Sequence, residues 1–246
     1  MEKESLLSQI AENVGFVLTF AGIVLAFILI AYGVEKLTKP KSDTERVLST
    51  RKVVVTGVFS AIATVLFLFD FSVPFAPSFY KLDLSEVPAI IAGFAYGPVA
   101  GVMVEFIKIA LKLIIKGTDT AFVGELANFV VGCSLILPAT IIYRIKKSKT
   151  TAIISLIVGT IVITVVGSTF NALYLLPAFA KLYGMPLDVI IGMGAEINKS
   201  VTNVWNFALI CVAPINLVKG LIVSVITMLI YKPLHPILKQ DKHQAQ

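Results

Sequence analysis

A chain of 246 residues that is 57% hydrophobic and 15% charged, with a mean hydropathy of +0.90, lacks the polar surface a soluble domain of that length needs. The net charge of +6 does not point to nucleic acid, because the basic residues flank apolar runs, the pattern that sets membrane topology. Cys133 and Cys211 lie inside apolar runs without metal-ligand or paired spacing and read as small core residues.

The first apolar run, residues 14–32, is free of charge and close to the roughly 20 residues that cross a bilayer. The segment before it carries Glu2, Glu4 and Glu12 against one lysine, so the run reads as a retained helix and not a cleaved signal peptide. Further runs follow at 53–69, 87–95, 99–115, 122–143, 152–178 and 207–231. The run at 87–95 is too short to span alone, and Tyr96-Gly97-Pro98 separates it from the next, so the two are expected to form a helical pair. Alternating crossings place Lys36, Lys39, Lys41, Arg46, Arg51 and Lys52 on one side, together with Arg144, Lys146, Lys147 and Lys149 and with Lys232, Lys239 and Lys242. The positive-inside rule makes that side cytoplasmic, with the N-terminus outside, the C-terminus inside, and outer loops at 71–86, 116–121 and 179–206.

The loop at 71–86 holds Ser72-Val73-Pro74-Phe75-Ala76-Pro77 and then Phe79-Tyr80, rigid, aromatic and weakly polar. Such a loop either rests on the bilayer interface or folds over a pocket as a lid. Ser85 is placed to cap the short helix, with Pro88 in its first turn where a missing N–H costs nothing.

Polar side chains inside spans tend to face the bundle interior or a cavity. Glu105 and Lys108 are three apart and can neutralise each other, while Lys112 and Lys116 continue that face outward and can snorkel. Asn128, three residues after Glu125, and Asn171 lie toward the outer ends of their helices. Asn216 and Lys219 share a face of the last span. A lone asparagine there is commonly interhelical glue. Lys219 has no acid within four residues, so its partner must come from another helix, with Glu105 and Glu125 the candidates, or from a ligand. Several carboxamides and one cation with no acid nearby suit a neutral ligand bearing carbonyls and N–H groups. No G-x-x-x-x-G-K-[ST], H-E-x-x-H or G-x-S-x-G is present, and His235 and His243 lie near the C-terminus, so neither self-powered ATP coupling nor an enzyme is expected.

Five segments, in order and spacing over residues 50–232, carry a resemblance. They are Lys81-Leu82-Asp83-Leu84-Ser85-Glu86-Val87-Pro88-Ala89; Tyr96-Gly97-Pro98-Val99-Ala100-Gly101 with Val104-Glu105-Phe106-Ile107-Lys108; residues 124–129; residues 171–177; and Pro214-Ile215-Asn216-Leu217-Val218-Lys219-Gly220. Together they resemble the riboflavin-binding S components of energy-coupling-factor (ECF) transporters. The resemblance implies an all-α integral membrane protein: a six-helix bundle at 53–232, preceded here by an extra transmembrane helix (1–34) and a basic linker (35–52), and followed by a cytoplasmic tail (233–246). It implies riboflavin binding from outside and work with a transmembrane coupling subunit and two cytoplasmic ATPase subunits. It implies no metal or resident cofactor, riboflavin being the transported ligand. The implied ligand contacts are Asn171, Asn216 and Lys219, with Lys81, Leu82 and Asp83 closing over them and Glu125 and Asn128 from the third segment. The implied coupling surface is Gly57 and Ala61. An isoalloxazine has an apolar end and an imide-like edge, which aliphatic walls and a few convergent polar groups would suit. The alternatives are the same fold with a different vitamin or with FMN, for whose phosphate Lys81, Lys112, Lys116 and Lys199 are candidates, and a non-transporting membrane adaptor.

Overall fold

In a lipid phase only a helix or a closed barrel satisfies every backbone group internally, so uninterrupted apolar runs become long helices. The computed structural model describes residues 13–38, 49–77 and 79–239; residues 1–12, the 39–48 part of the expected linker and 240–246 of the expected tail lie outside it. The helices are α1 (Val14–Leu37), α2 (Thr50–Leu68), α3 (Glu86–Tyr96), α4 (Pro98–Lys116), α5 (Val123–Ile145), α6 (Lys149–Phe170), α7 (Leu176–Leu182), α8 (Leu187–Ile197), α9 (Val204–Phe207) and α10 (Ala213–Lys239). Ser49 and Ser148 start α2 and α6 by accepting from the Lys52 and Thr151 amides. Among the described residues five helical stretches are long and apolar enough to cross a membrane, which makes the chain an all-α, multi-pass membrane protein. The helix α4, at 19 residues, is of similar length but carries Glu105, Lys108, Lys112 and Lys116.

The short helix α3 does not face lipid. It is buried from Glu86 to Phe94, packed against α2, α4, α5 and α10, so its ends need not reach the bilayer surfaces. The connection before it is folded: β1 (Phe71–Ser72) pairs antiparallel with β2 (Lys81–Leu82), Phe71 opposite Leu82. The expected cap at Ser85 is not made. Its backbone is already helical and its hydroxyl is drawn instead to Asp83 and Lys108. The stretch 179–206, expected as a loop, contains the end of α7 and the helices α8 and α9.

One end of the bundle is fastened by a single carboxylate. Glu35, at the close of α1, accepts from the Val99 amide at 3.1 Å, where the N-terminus of α4 presents unpaired donors and a positive dipole end. Lys52 Nζ lies 3.6 Å and Arg144 Nη1 3.8 Å from its other oxygen. Gly97, between α3 and α4, has φ +108°, and a side chain there would also collide with the Glu35 carboxylate. The end of α1, the start of α2, the α3–α4 turn and the end of α5 therefore meet at one level. Tyr143 and Tyr231, hydrogen-bonded at 2.6 Å, bring α10 to the same end.

Replacing Glu35 with alanine leaves Lys52 and Arg144 without their shared anion and the α4 terminus uncapped. Breaking such a buried arrangement costs about 3 kcal/mol, so thermal unfolding in detergent should fall by several degrees. An unchanged midpoint would mean that α1 is held by apolar packing alone.

Candidate functional site

The outer half of the bundle is shaped by two prolines. The helix α6 passes into a π-helical turn at Asn171–Leu175 before α7, and α9 passes into another at Ala208–Val212 before α10. Pro177 and Pro214 each follow two residues beyond a π turn and lack the N–H that would have bonded four residues back. The chain widens there, as helices often do at functional sites. Asn171 opens the first turn, and Asn216 follows just after the second.

These side chains border a cavity of about 230 Å³. Its floor and walls include Lys219, Asn216, Asn171, Asn128, Val131 and Leu175, and its cover is Phe79, Tyr80, Lys81 and Asp83. The loop at 71–86 is thus a lid over a pocket and not merely an interfacial connection. Its seal is polar: the Tyr80 hydroxyl donates to Asn171 Oδ1 at 2.5 Å, while Lys81 pairs with Asp70 at 3.0 Å. Burial raises the Tyr80 phenol above its ordinary range, with a smaller push from Cys211, so it remains a neutral donor.

The carboxamides stand differently. Asn171 Nδ2 donates to the Gly167 carbonyl at 3.0 Å, and Asn128 Nδ2 to that of Gly124 at 3.0 Å. Asn216 Nδ2 is buried and has no hydrogen-bond partner among the described residues. Gly167 makes room for it: a Cβ at that position would stand 2.5 Å from this nitrogen. Glu125 also lines the cavity, but its oxygens are engaged by Lys112 at 2.5 Å, Thr118 at 2.9 Å and Thr120 at 3.0 Å. It holds the turn before α5, where Ala121 and Phe122 have positive φ. Lys112 does not snorkel freely. Leu82 does not line the cavity; it packs under the lid in an apolar cluster with Leu176, Phe207 and Ile215.

At one edge of the cavity, where the lid meets Lys219, lies a buried charge network. Lys219 Nζ is 3.0 Å from Asp83 Oδ2 and 2.7 Å from Glu86 Oε1. Lys108 Nζ is 2.7 Å from Glu105 Oε1, 3.3 Å from Glu86 Oε1 and 2.6 Å from the Ser85 hydroxyl. The expected Glu105–Lys108 pair is present. The expectation that Lys219 has no acid nearby is overturned: its partners are Asp83 and Glu86, from the first loop and the start of α3, in place of Glu105 or Glu125. Burial alone would raise the Asp83 carboxyl, but the Lys219 and Lys108 charges and two Ser85 hydrogen bonds outweigh it and hold it below the ordinary carboxylate range. The pairing therefore stabilises the fold at neutral pH, and that contribution is lost as pH falls through the lowered Asp83 value.

Residues 51–231 match the family described as ECF transporter, substrate-specific component. The chain belongs to that family. It is similar to the riboflavin transporter FmnP of Bacillus subtilis (34% identity, covering 79% of this chain and 97% of that one) and the riboflavin transporter RibU of Staphylococcus aureus (36%, covering 77% and 93%). The solved S component of a bacterial ECF transporter superposes with a TM-score of 0.60 at 35% identity, covering 77% of this chain and 98% of that one. The protein is accordingly the substrate-binding membrane component of an ECF-type transporter, a transport subunit and not an enzyme. The helix α1 precedes the region that matches the family.

Two features of this S component escaped sequence reasoning. Glu86 falls at the end of the 71–86 loop in the sequence and gives no sign there of meeting Lys219, although a lysine inside a span demands a counter-ion. Tyr80 was read only as an aromatic of the loop, and nothing in the sequence sets its distance to Asn171.

Changing Lys219 to methionine keeps the volume but leaves Asp83 and Glu86 buried with less compensation, which costs about 3–5 kcal/mol. The variant should melt well below the parent, and adding Asp83→Asn should recover part of the loss. A single variant as stable as the parent would show that the bridge contributes nothing.

Proposed function

We propose that this S component captures riboflavin from the outer side of the cell membrane, in the cavity beneath the 71–86 lid, and delivers it with a transmembrane coupling subunit and two cytoplasmic ATPase subunits. The observation that carries the reading is the unpartnered carboxamide nitrogen of Asn216, buried at a cavity that Asn171, Asn128 and Lys219 also line. A carboxamide donates and accepts side by side, as the imide edge of an isoalloxazine requires, and Lys219 can give a further proton to a ring carbonyl or ribityl oxygen while keeping its acids. Val131, Leu175, Phe179 and Ile215 offer apolar walls for the rest of the ring system. Two similar proteins named as riboflavin transporters support the choice.

Riboflavin is favoured over FMN by charge. Of the cations considered for a phosphate, Lys81 is paired with Asp70 and Lys112 with Glu125, while Lys116 and Lys199 do not line the cavity. A phosphate would meet carboxylates that already neutralise the rim. Asn171, Asn216 and Lys219 act as direct contacts, Asn128 and Lys81 border the ligand, Asp83 closes over it, and Leu82 and Glu125 hold the lid and the opposing turn in place.

Residues 53–232 form the substrate-binding domain, with α2 to α6 and α10 as its six helices, and α1 is a seventh. The end of the bundle that gathers Lys52, Arg144 and the basic run after it faces the cytoplasm by the positive-inside rule. The cavity then opens outward, the N-terminus is outside and the C-terminus inside. Gly57 and Ala61 are exposed one turn apart on α2, and a Cβ at Gly57 would meet nothing within 4 Å. That open strip of small residues is the surface offered to the coupling subunit.

Titrating the purified chain with riboflavin should quench flavin fluorescence without ATP, and FMN should bind more weakly. Asn216→Leu removes a hydrogen bond worth about 1–2 kcal/mol and should weaken riboflavin roughly tenfold. Absence of flavin binding by the folded chain would sink the ligand assignment. For the coupling surface, Gly57→Leu should abolish uptake by cells carrying the complete transporter while leaving riboflavin affinity unchanged. Uptake that survives would place the coupling surface elsewhere.

A further inference from the structure

Every lysine that lines the ligand cavity already has an acid. Lys81 stands 3.0 Å from Asp70, Lys112 2.5 Å from Glu125, and Lys219 3.0 Å from Asp83 and 2.7 Å from Glu86. Among the described residues the lining holds no arginine and no histidine. The helices α3 and α5 begin beside the cavity with Glu86 and Glu125 in their first turns, which answer the positive dipole ends. Behind Lys219 the balance leans further, because Glu105 joins Asp83 and Glu86 against Lys108 and Lys219, three acids to two lysines. Tyr80, in the cover, is a neutral donor to Asn171.

Taking riboflavin as the ligand, we propose that this site selects the oxidised, neutral isoalloxazine and rejects its two-electron-reduced anion, so that binding lowers the midpoint potential of the flavin. Reduction adds two electrons and one proton. The proton goes to N5, and near neutral pH N1 holds none, which leaves a negative charge spread over N1 and the adjoining carbonyl. That charge falls on the imide side of the ring, the side assigned to Asn216, Asn171 and Lys219. A buried anion calls for a cation that has no acid of its own, and a carboxamide donor does not repay the hydration the anion gives up. A free lysine near N1 would favour the reduced ring. Lys219, held between two carboxylates, does not. The oxidised ring carries no charge and loses nothing by this arrangement.

Spectroelectrochemical titration of riboflavin bound to the purified full chain, beside free riboflavin in the same oxygen-free buffer, reads the selection directly. The reduced ring should bind roughly tenfold or more weakly than the oxidised one, which sets the bound couple about 30 mV or more below the free one. At a pH low enough to protonate N1 the reduced ring is neutral, and the shift should shrink. Asp83→Asn leaves Lys219 with one acid fewer and should bring the bound potential back toward the free value; Glu105→Gln, which removes a carboxylate away from the ligand, should act in the same direction if the first variant does not fold. A bound potential at or above the free one in the parent chain would overturn the proposal while leaving riboflavin as the ligand. A shift that persists at low pH, or that is unchanged in the folded variants, would assign the selection to ring shape and contradict its basis in charge. A folded chain that binds no oxidised riboflavin would remove the ligand reading and this proposal with it.

Discussion

The bridge from Lys219 to Asp83 and Glu86 is the constraint on which the rest of the outer half depends. A lysine in an apolar span and buried carboxylates are each expensive alone, and their pairing ties the last helix to a loop 136 residues earlier. That tie fixes where the first loop lies, and with it Tyr80 over Asn171 and the cover of the cavity. It also accounts for the burial of α3, whose first residue, Glu86, serves Lys108 and Lys219 together. A lipid-facing α3 would withdraw that carboxylate from both lysines.

The cavity beside this network owes its form to departures from regular helix. The two π turns, each followed by a proline, bring Asn171 and Asn216 to the same wall, and Gly167 leaves the space that Asn216 occupies. Polar groups that could have been consumed within the protein are treated unequally. Glu125 is saturated by Lys112, Thr118 and Thr120, whereas one donor of Asn216 is left over. At the cavity the carboxylate that holds the frame is saturated, while a buried carboxamide nitrogen is not.

Much of this was legible in the sequence because lipid imposes simple rules. Apolar length located the long helices, Tyr96-Gly97-Pro98 marked the α3–α4 turn, and the scarcity of polar residues in the spans drew attention to Asn128, Asn171, Asn216 and Lys219, all of which line the cavity. What failed was reasoning by helical register alone. No acid lies within four residues of Lys219 in the sequence, since its partners come from a different part of the chain. The same limit hid the Tyr80–Asn171 contact and the Glu35 anchor, which joins α1 to Lys52, Arg144 and the Val99 amide. Leu82 and Lys81 divide by alternation along β2, which turns Leu82 into the core while Lys81 faces out.

If the Asp83–Lys219 bridge closes the first loop over bound riboflavin, it should govern escape more than entry. Stopped-flow fluorescence of riboflavin release from the Asp83→Asn variant measures this directly. Loss of a charge-assisted bond worth about 1.5–3 kcal/mol should speed release roughly tenfold to a hundredfold, with association nearly unchanged. Release as slow as that of the parent chain would contradict the account.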